Sequence, residues 1–343
     1  MDWMRPRRDV RLTLDRGRWV SLSGNTPRPP PQASLKSGDV APSAFTINQP
    51  DTHMPFLGAH MPAAGGLHLV FERIAFIEGQ ALQLFTRNQR QWAAPDIMDA
   101  EAAAFAAAWK AWGQPHVFSH GAYLINPASP DDVLWRRSRD ALGRELVRCA
   151  RLNIRWVVLH PGAHKGRGAT TGIARAAGCL DAAFEQAGTV AESVGVLLEN
   201  TAGSGTALGA DPEELGMIIA ASKFPDRLGV CWDSCHGFAA GHDPRDQAEW
   251  NRVISRLDQA VGLDRLHLIH LNDSKTALGS RVDRHEHIGQ GQIGLPGFAT
   301  ILNDPRLAHL PMVLETPKEK DLKEDVRNLN VLRGLLNGAP PVA

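Results

Sequence analysis

The sequence feature that most constrains the fold is an alternation of short apolar runs with longer segments of helical composition. Eight runs have strand character: FLGAH (56–60), ALQLFTR (81–87), HVFSH (116–120), RWVVLH (155–160), GVLLEN (195–200), LGVCWD (228–233), LHLIHLND (266–273) and MVLET (312–316). Helical segments lie between them, at 99–112, 131–152, 174–194, 211–222 and 246–262. Near-continuous apolar strands indicate a parallel sheet that is covered on both faces. Eight β/α units predict a (β/α)8 TIM barrel of class α/β, and a doubly wound sheet is the competing architecture.

The first 53 residues differ from the remainder of the chain. They are rich in Pro, Arg and Ser, carry the Pro cluster at 29–31, and lack periodic hydrophobicity. We therefore expect a disordered, mildly basic leader at 1–53, followed by one barrel domain at 54–343. The leader has no apolar core of a secretory signal, and its acidic residues argue against a transit peptide. Met54 stands just before the first strand, so an upstream start site is an alternative origin of the leader.

Composition excludes several classes of protein. Lys+Arg and Asp+Glu are both 37, and a net charge of zero argues against coating of a polyanion but leaves room for a local basic groove. No apolar run approaches the roughly 18 residues that span a membrane. No two of the four cysteines have CxxC spacing, so we expect free thiols and a protein from a reduced compartment.

Metal-binding residue types stand at the ends of seven of the eight runs. These residues are His60, His120, His160, Glu199, Asp233, His270 and Glu315. Barrel strands direct their carboxyl ends to one face, so all seven side chains would meet at one mouth. One histidine at a strand end is usually a hydrogen-bonded structural residue. Seven such strand ends instead indicate a metal centre.

Two further groups join this predicted centre. His236 follows Asp233 by three residues, and RVDRHEH (281–287) offers Asp283 and His285, although that stretch alone would read as a solvated charge run. We expect His60 to support the centre without binding, which leaves five His, two Glu and two Asp as candidate ligands. Imidazoles with carboxylates suit zinc, with Mn²⁺ or Fe²⁺ as alternatives at one site. Nine candidate ligands are more than one tetrahedral metal site can use. They would suffice for three ions if one carboxylate bridges two of them.

The stretch GVCWDSCHGF (229–238) raises a competing thiol site. Strand alternation places Cys231, Asp233 and Cys235 nominally on one face. The other strand ends offer only imidazoles and carboxylates, which complete the ligand set without sulfur. We therefore expect Cys231 to pack within the strand and Cys235 to pack near the turn, while Asp233 and His236 each bind a different ion.

Nine stretches of the chain resemble the endonuclease IV family. They are GAHMPAAGG (58–66), LFTRNQRQW (84–92), HGAYLIN (120–126), HPGAH (160–164), LENTAG (198–203), GVCWDSCHGFAAG (229–241), HLNDSK (270–275), GSRVDRHEHIGQGQIG (279–294) and LET (314–316). They occur in the family's order between about residues 57 and 317. The resemblance implies a (β/α)8 barrel with three zinc ions that cuts DNA at abasic sites.

The resemblance also implies a role for each ligand. His120, His160 and Glu199 match the residues of one zinc; Glu199 would bridge to a second, also bound by Asp233, His270 and Glu315; His236, Asp283 and His285 match the third. Glu199, Asp233 and Glu315 would be catalytic, and Glu315 would help deprotonate or position the attacking water. One departure is visible: the family's His-Asp-x-Tyr is here His120-Gly121-Ala122-Tyr123, which lacks a carboxylate beside the first zinc.

The implied reaction is cleavage 5′ to an abasic site, leaving a 3′-hydroxyl, together with removal of 3′-phosphates and other 3′-blocking groups. The predicted partner is double-stranded DNA with abasic sites or blocked 3′ ends. Predicted DNA contacts are Arg90, Gln91, Tyr123, Asn272, Lys275, Arg281 and Arg284, and Arg87 adds to the positive charge at the mouth. We expect a monomer that binds no membrane and no nucleotide cofactor, in the cytoplasm and associated with the nucleoid through its substrate.

The sequence also raises three other interpretations. IGQGQIG (288–294) matches the dinucleotide fingerprint GxGxxG, but it follows a charged loop and not a strand, so we expect a flexible backbone over the site and no NAD. A sugar isomerase or epimerase would use Glu199, Asp233, His270 and Glu315 around one or two divalent ions. It would leave the remaining candidate ligands without a role. A catalytically silent DNA-binding relative is disfavoured by the complete ligand set.

Overall fold

The computed structural model describes residues 54–336, so the predicted leader at 1–53 lies outside the described residues. Eight parallel strands close into a barrel, in the order β1-β10-β7-β6-β5-β4-β3-β2. This confirms the predicted (β/α)8 barrel and excludes the doubly wound sheet. The barrel strands are β1 (Phe56–Met61), β2 (Ala81–Leu84), β3 (His116–His120), β4 (Trp156–Leu159), β5 (Gly195–Glu199), β6 (Leu228–Asp233), β7 (Leu266–His270) and β10 (Pro311–Leu314).

Helices cover the outside of the barrel, and a small hairpin stands at its mouth. The two hairpin strands, β8 (Asp273–Ser274) and β9 (His285–Glu286), pair antiparallel. The helices are α1 (Leu69–Phe76), α2 (Asp99–Trp112), α3 (Asp132–Arg151), α4 (Ala169–Ala187), α5 (Pro212–Ala221), α6 (Ser234–Ala240), α7 (Gln247–Val261), α8 (Gly294–Leu302) and α9 (Lys323–Leu335). Within the described range, none of the helices combines the length and the apolar character that crossing a bilayer requires.

Two apolar layers hold the barrel together. A small cluster fills its interior: Ala81, Phe118, Val158, Leu197, Cys231, Leu268 and Val313. A larger cluster lies between the strands and the helices. Because both strand faces are buried, every residue of β5 and β6 is buried, which explains the continuous apolar runs in the sequence.

Parallel register brings the carboxyl ends of the strands to one level. Asp233 lies opposite His270 on the neighbouring strand, and His270 lies opposite Val313. His120 and Glu199 end their own strands, and His160 and Glu315 follow theirs directly. The barrel therefore delivers these side chains to one mouth, as the sequence predicts.

One helix departs from its predicted bounds. The segment predicted at 174–194 is helix α4 at Ala169–Ala187, followed by a turn of 3-10 helix at Gly188–Ala191. Gly188 has a φ of 61°, a left-handed value that favours glycine and ends the regular helix. Predicting the earlier start was difficult because Thr170, Thr171 and Gly172 are weak helix formers.

Candidate metal centre

Nine side chains from the strand ends and the hairpin converge at the mouth. Three groups each bring their ligand atoms within 4.8 Å of one another: His120, His160 and Glu199; Glu199, Asp233, His270 and Glu315; and His236, Asp283 and His285. These are the three sets that the sequence predicts. Glu199 belongs to two of them, which joins the first group to the second.

The turn from β6 into α6 explains why Asp233 and His236 lie together. Asp233 ends the strand and is the N-cap of the helix, where its Oδ1 accepts a hydrogen bond from the His236 backbone N–H at 2.7 Å. The cap fixes the first helical turn, so the His236 side chain faces the centre. Cys235 therefore lies in the first turn of the helix and not on the strand.

Glu199 is fully buried and lies between histidines. Its Oε2 is 2.8 Å from His160 Nε2 and 3.2 Å from His120 Nε2. Its Oε1 is 3.0 Å from His270 Nδ1 and 3.3 Å from His236 Nδ1. The two oxygens thus face different sides of the centre, which is the arrangement that a bridging carboxylate requires.

The third group is centred on Asp283. Its Oδ2 is 3.2 Å from His236 Nε2, and its Oδ1 is 3.3 Å from His285 Nε2. The Nε2 atom of His285 is buried and, among the described residues, has no hydrogen-bond partner. A buried polar atom without a hydrogen bond costs free energy, and a metal ion bound at this nitrogen would offset that cost.

The electrostatics of the centre favour ionised carboxylates. Burial by itself raises the pKa of Glu199, but His160, His270 and the hydrogen bond from His120 outweigh it and hold the pKa well below its usual value. Burial likewise raises the pKa of Asp283, and the hydrogen bond and charge of His236 bring it down to about 2. Both carboxylates are therefore anions at neutral pH.

Four histidines have one ring nitrogen fixed by an acceptor outside the centre. The acceptors are the Gly121 carbonyl for His120 (2.8 Å), the Asn200 carbonyl for His236 (3.0 Å), Gln83 Oε1 for His270 (2.9 Å) and the Glu315 carbonyl for His285 (3.2 Å). Such outer partners set the tautomer and direct the other nitrogen toward a metal. The donor set and its outer hydrogen bonds therefore fit divalent ions that take nitrogen and oxygen ligands, zinc among them.

At Gly121, where the sequence departs from the family pattern, the backbone contacts His120. A Cβ at this position would lie 2.8 Å from Leu159 Cδ1 and 3.3 Å from the Val158 carbonyl oxygen, so a side chain here would require Leu159 to shift. The Gly121 carbonyl accepts a hydrogen bond from His120 at 2.8 Å, so His120 has an outer partner without a carboxylate at position 121.

Gln83 is a buried residue that sequence reasoning missed. Its Nε2 donates to Glu315 Oε1 at 2.5 Å and to His60 Nδ1 at 3.0 Å, while its Oε1 accepts from His270. The amide thus holds two predicted ligands and His60. The available signal was a polar residue within an apolar strand that is buried on both faces, ALQLF (81–85).

His60 lies beside the centre without joining any of the three groups. Burial is the main cause that lowers the pKa of His60, to about 4, despite the neighbouring Glu315. A neutral imidazole matches its role as acceptor for Gln83. The Lys318 ammonium donates to the His60 carbonyl at 2.7 Å and pairs with buried Asp325 at 2.9 Å, which fixes the end of β1.

Asn272 is not placed as a DNA contact, which is the role predicted for it from the sequence. Its side chain is fully buried. Its Nδ2 donates to Asp233 Oδ2 at 2.6 Å and its Oδ1 accepts from the Glu315 backbone N–H at 2.7 Å. Asn272 therefore orients two ligands from below and does not reach a DNA strand.

The two cysteines of the 229–238 stretch lie where the sequence indicates packing. Cys231 is in the interior layer of the barrel, and Cys235 Sγ faces the Arg284 carbonyl at 3.7 Å. Burial raises the pKa of each thiol to about 12. The Cys235 sulfur also lies within 4.8 Å of a ligand atom of Asp233 and of His285, so a thiol borders the second and third groups.

The predicted DNA contacts other than Asn272 line the rim of the mouth. Their side chains are exposed: Arg90, Gln91, Tyr123, Lys275, Arg281 and Arg284. Arg87 differs, because its side chain is buried and donates to the Gln91 carbonyl. Arg87 thus shapes the loop after β2 and is not available to a phosphate in this position.

Two cavities at the mouth share Tyr123 in their lining. One of about 790 Å³ is lined by His60, Phe85, Glu315 and Lys318, and one of about 280 Å³ by His160, Thr201, His236 and Asp283. Tyr123 borders both, and its ring packs edge-on against Phe85 at 5.4 Å. Candidate ligands from all three groups therefore line cavities at the mouth.

Comparison with known proteins identifies relatives. A family model described as a xylose isomerase-like TIM barrel matches residues 71–333. A protein of Oleidesulfovibrio alaskensis named "Probable endonuclease 4" is 51% identical over 288 residues, which cover 84% of this chain and 97% of that protein. A protein of the same name from Chloroflexus aggregans is 47% identical over 287 residues, with 82% of this chain and 98% of the relative covered.

Solved structures give the same relationship. The crystal structure of endonuclease IV from Thermus thermophilus matches with a TM-score of 0.73 and 37% identity, covering 83% of this chain and 100% of that chain. A D-tagatose 3-epimerase-like protein matches with a TM-score of 0.63 but only 16% identity, covering 81% of this chain and 97% of that chain. The second likeness shows a shared fold alone.

Proposed function

Because the chain belongs to the endonuclease IV family of the xylose isomerase-like TIM barrels, we propose that it is a metal-dependent endodeoxyribonuclease that cuts DNA at abasic sites. The observation that carries this proposal is the convergence of nine imidazole and carboxylate ligands in three groups, two of which share Glu199. The chemistry follows from which residues hold the metals and which contact the substrate.

The three groups would hold three divalent ions, zinc in the first instance, with Mn²⁺ or Fe²⁺ as alternatives at one position. When bound, such ions neutralise charge on the phosphodiester and make water acidic enough to attack it at neutral pH. The protein contributes the placement of the ligands. Glu199 spans two groups, and carboxylate oxygens of Asp233 and Glu315 lie 3.8 and 3.4 Å from His270 Nδ1. This fixed set of side chains would align the reacting phosphate.

Hydrolysis adds water across one P–O bond. The water oxygen bonds to phosphorus, the bond between phosphorus and the 3′ oxygen breaks, and a proton passes to that oxygen to give a 3′-hydroxyl. Glu315 is the carboxylate that we assign to accepting or positioning the proton of the attacking water, because its Oε1 is held by Gln83 at the edge of the large cavity. Cleavage on the 5′ side of the abasic site, and removal of 3′-phosphates or other 3′-blocking groups, are both hydrolyses of a P–O bond.

DNA binding would rely on the rim of the mouth. Arg90 and Gln91 lie on the loop after β2, where they can enter the duplex beside the lesion, and Tyr123 is 64% exposed between the two cavities. Lys275, Arg281 and Arg284 are placed to contact phosphates. A missing base lowers the cost of extruding the nucleotide, which supplies part of the selectivity.

We further propose a monomer that acts without a nucleotide cofactor, in the cytoplasm and associated with the nucleoid through its substrate. A chromosomal substrate is the reason for this location. The four cysteines, which are free and buried, are consistent with a reduced compartment.

The experiment that tests the proposal uses a labelled duplex with one tetrahydrofuran abasic analogue. We expect one product that ends in a 3′-hydroxyl immediately 5′ to the analogue, and no cleavage of an otherwise identical intact duplex. The Asp233→Ala variant is the control for contaminating nucleases. An intact labelled strand, together with Mn²⁺-dependent interconversion of a ketose, would instead support a sugar epimerase.

A further inference from the structure

The glycine-rich segment 288–294, which matches a nucleotide-binding fingerprint in the sequence, binds a carboxylate of this chain. Backbone N–H groups of Ser274, Gly289, Gly291, Ile293 and Gly294 all point at the side chain of Asp273, which is fully buried. The segment is therefore pinned, and the flexible backbone that its glycines predict is not what the structure describes. The convergent amides form an anion nest.

The nest requires a carboxylate with both oxygens free to accept. Oδ1 accepts from Ser274 at 2.8 Å and from Ile293 at 2.9 Å. Oδ2 accepts from Gly289 at 2.9 Å and from Gly291 at 3.0 Å. In an asparagine, the NH2 group would replace one of the two oxygens and would face at least two backbone N–H donors, whichever way the amide is turned. Those hydrogen bonds would be lost.

Close approach also restricts the facing backbone. A Cβ at Gly291 would lie 2.5 Å from Asp273 Oδ1 and 2.5 Å from the Ser274 carbonyl oxygen. Only glycine can therefore face the carboxylate at this position. The Gln292 backbone N–H donates to the Ser274 carbonyl at 2.7 Å and adds a second tie between the same two segments.

Asp273 closes the loop that carries two ligands of the third group. Its backbone lies in β8 and pairs with Glu286 in β9, while its side chain holds residues 289 to 294. In the chain, Asp283 and His285 lie between Asp273 and the segment 289–294 that the Asp273 carboxylate holds. Asp273 thus joins the beginning and the end of the stretch that carries both ligands, and it does not itself belong to any ligand group.

The preceding residue acts on a different group. Asn272 orients Asp233 and Glu315, which belong to the second group. Adjacent residues after β7 therefore serve different parts of the centre, Asn272 the second group and Asp273 the third.

We propose that Asp273 is a positioning residue for the third metal ion, which it controls by closing the loop that presents Asp283 and His285. This inference rests on the proposed three-metal function. Loss of the nest frees the loop and raises the entropic cost of assembling the third group, while the first and second groups keep their strand-borne ligands.

The test measures zinc per chain after dialysis against a weak chelator, in the wild type, Asp273→Asn and Gly291→Ala. We expect the two variants to retain about two ions against three in the wild type, with zinc affinity at the third position roughly 10–100-fold weaker. Amide hydrogen exchange over 283–294 should speed up in both. Asp226→Asn, an exposed carboxylate that precedes β6 at the opposite end of the barrel, is the matched control and should bind three ions.

Retention of three ions by both variants, with the wild-type rate of loss to the chelator, would overturn the inference and leave the proposed nuclease untouched. Equal weakening of zinc binding at all three positions would also overturn it, because a general structural role of Asp273 predicts that outcome. If Asp273→Asn does not fold, Gly291→Ala decides, since it keeps Asp273 and every ligand. If the variants selectively lose one ion but the wild-type protein cleaves no abasic duplex, the inference is upheld and the proposed function is contradicted.

Discussion

Glu199 contacts four histidines through two oxygens and has no exposure to solvent. At the scale of single residues, this carboxylate is the member that the first and second groups share. A neutral amide of the same shape would present one donor group to the histidines and one oxygen to the metals.

We predict that Glu199→Gln lowers cleavage of the abasic duplex by at least about 100-fold while the barrel stays folded. The physical reason is the loss of one bridging oxygen and of the negative charge that offsets two cations. Steady-state rates and the far-UV circular dichroism spectrum measure the two parts of the prediction. Full activity in this variant would refute the bridging role.

Gln83 provides a second prediction at this scale. Gln83→Ala removes the amide that holds Glu315, His60 and His270, so we expect a roughly 10–100-fold loss of activity or zinc affinity. Gln80→Ala is the matched control, because Gln80 is exposed and precedes the same strand. Comparable activity of the two variants would show that Gln83 has no positioning role.

The positions of the strand-end residues His120, Glu199 and Asp233 could be predicted from the sequence. Their residue types indicate metal ligands, and the parallel strands place their ends at the same mouth of the barrel. The roles of Gln83 and Asn272 were not predicted, because both depend on hydrogen bonds to residues far away in the sequence. The order of residues in the chain does not predict which ligand a side-chain amide such as that of Gln83 or Asn272 contacts. Burial within an apolar strand was the usable signal for Gln83.

At the scale of elements, helix α3 holds the loop after β2. Arg148 donates from Nε to Thr86 Oγ1 at 3.0 Å, and its other nitrogens donate to the carbonyls of Thr86 and Pro95. Buried Glu145 accepts from Thr86 and Ser119, both at 2.7 Å. These buried contacts fasten both ends of the loop that carries Arg90 and Gln91.

We predict that Arg148→Met lowers the free energy of unfolding by about 3 kcal/mol and weakens binding of abasic duplex, because buried carbonyls lose charged donors and the loop is released. Denaturant unfolding and fluorescence anisotropy provide the two measurements. Arg136→Met, at an exposed position of the same helix, should change neither by much. Unchanged DNA affinity in Arg148→Met would mean that the loop does not need this support.

The sequence predicted the element order well, since all eight strand runs are barrel strands. It did not predict how segment 288–294 folds, because the glycines suggest freedom until the buried Asp273 is placed against them. The predicted beginning of α4, at residue 174, is also later than the observed beginning at Ala169, because small and β-branched residues hide the helical pattern.

At the scale of the whole molecule, the net charge of the chain is zero. Binding of DNA would therefore depend on local positive charge at the rim of the mouth. We predict that affinity for abasic duplex falls roughly 40-fold between about 50 and 200 mM salt, as expected for about three phosphate contacts. Arg281→Gln should lower the slope of log affinity against log salt by about 1. Arg155→Gln, just before β4 on the far side of the barrel, should leave the slope unchanged; an equal change in both variants would contradict the assignment of the rim.

The proposed function depends most on the link between the three ligand groups and the cutting of DNA. Chelator-stripped enzyme should be reloaded stepwise with zinc, and cleavage of the tetrahydrofuran duplex should be recorded at each measured zinc content. We predict that activity is absent in the stripped enzyme and reaches its maximum as the content approaches three ions per chain. Full cleavage by stripped enzyme, or none at three ions per chain, would contradict this link.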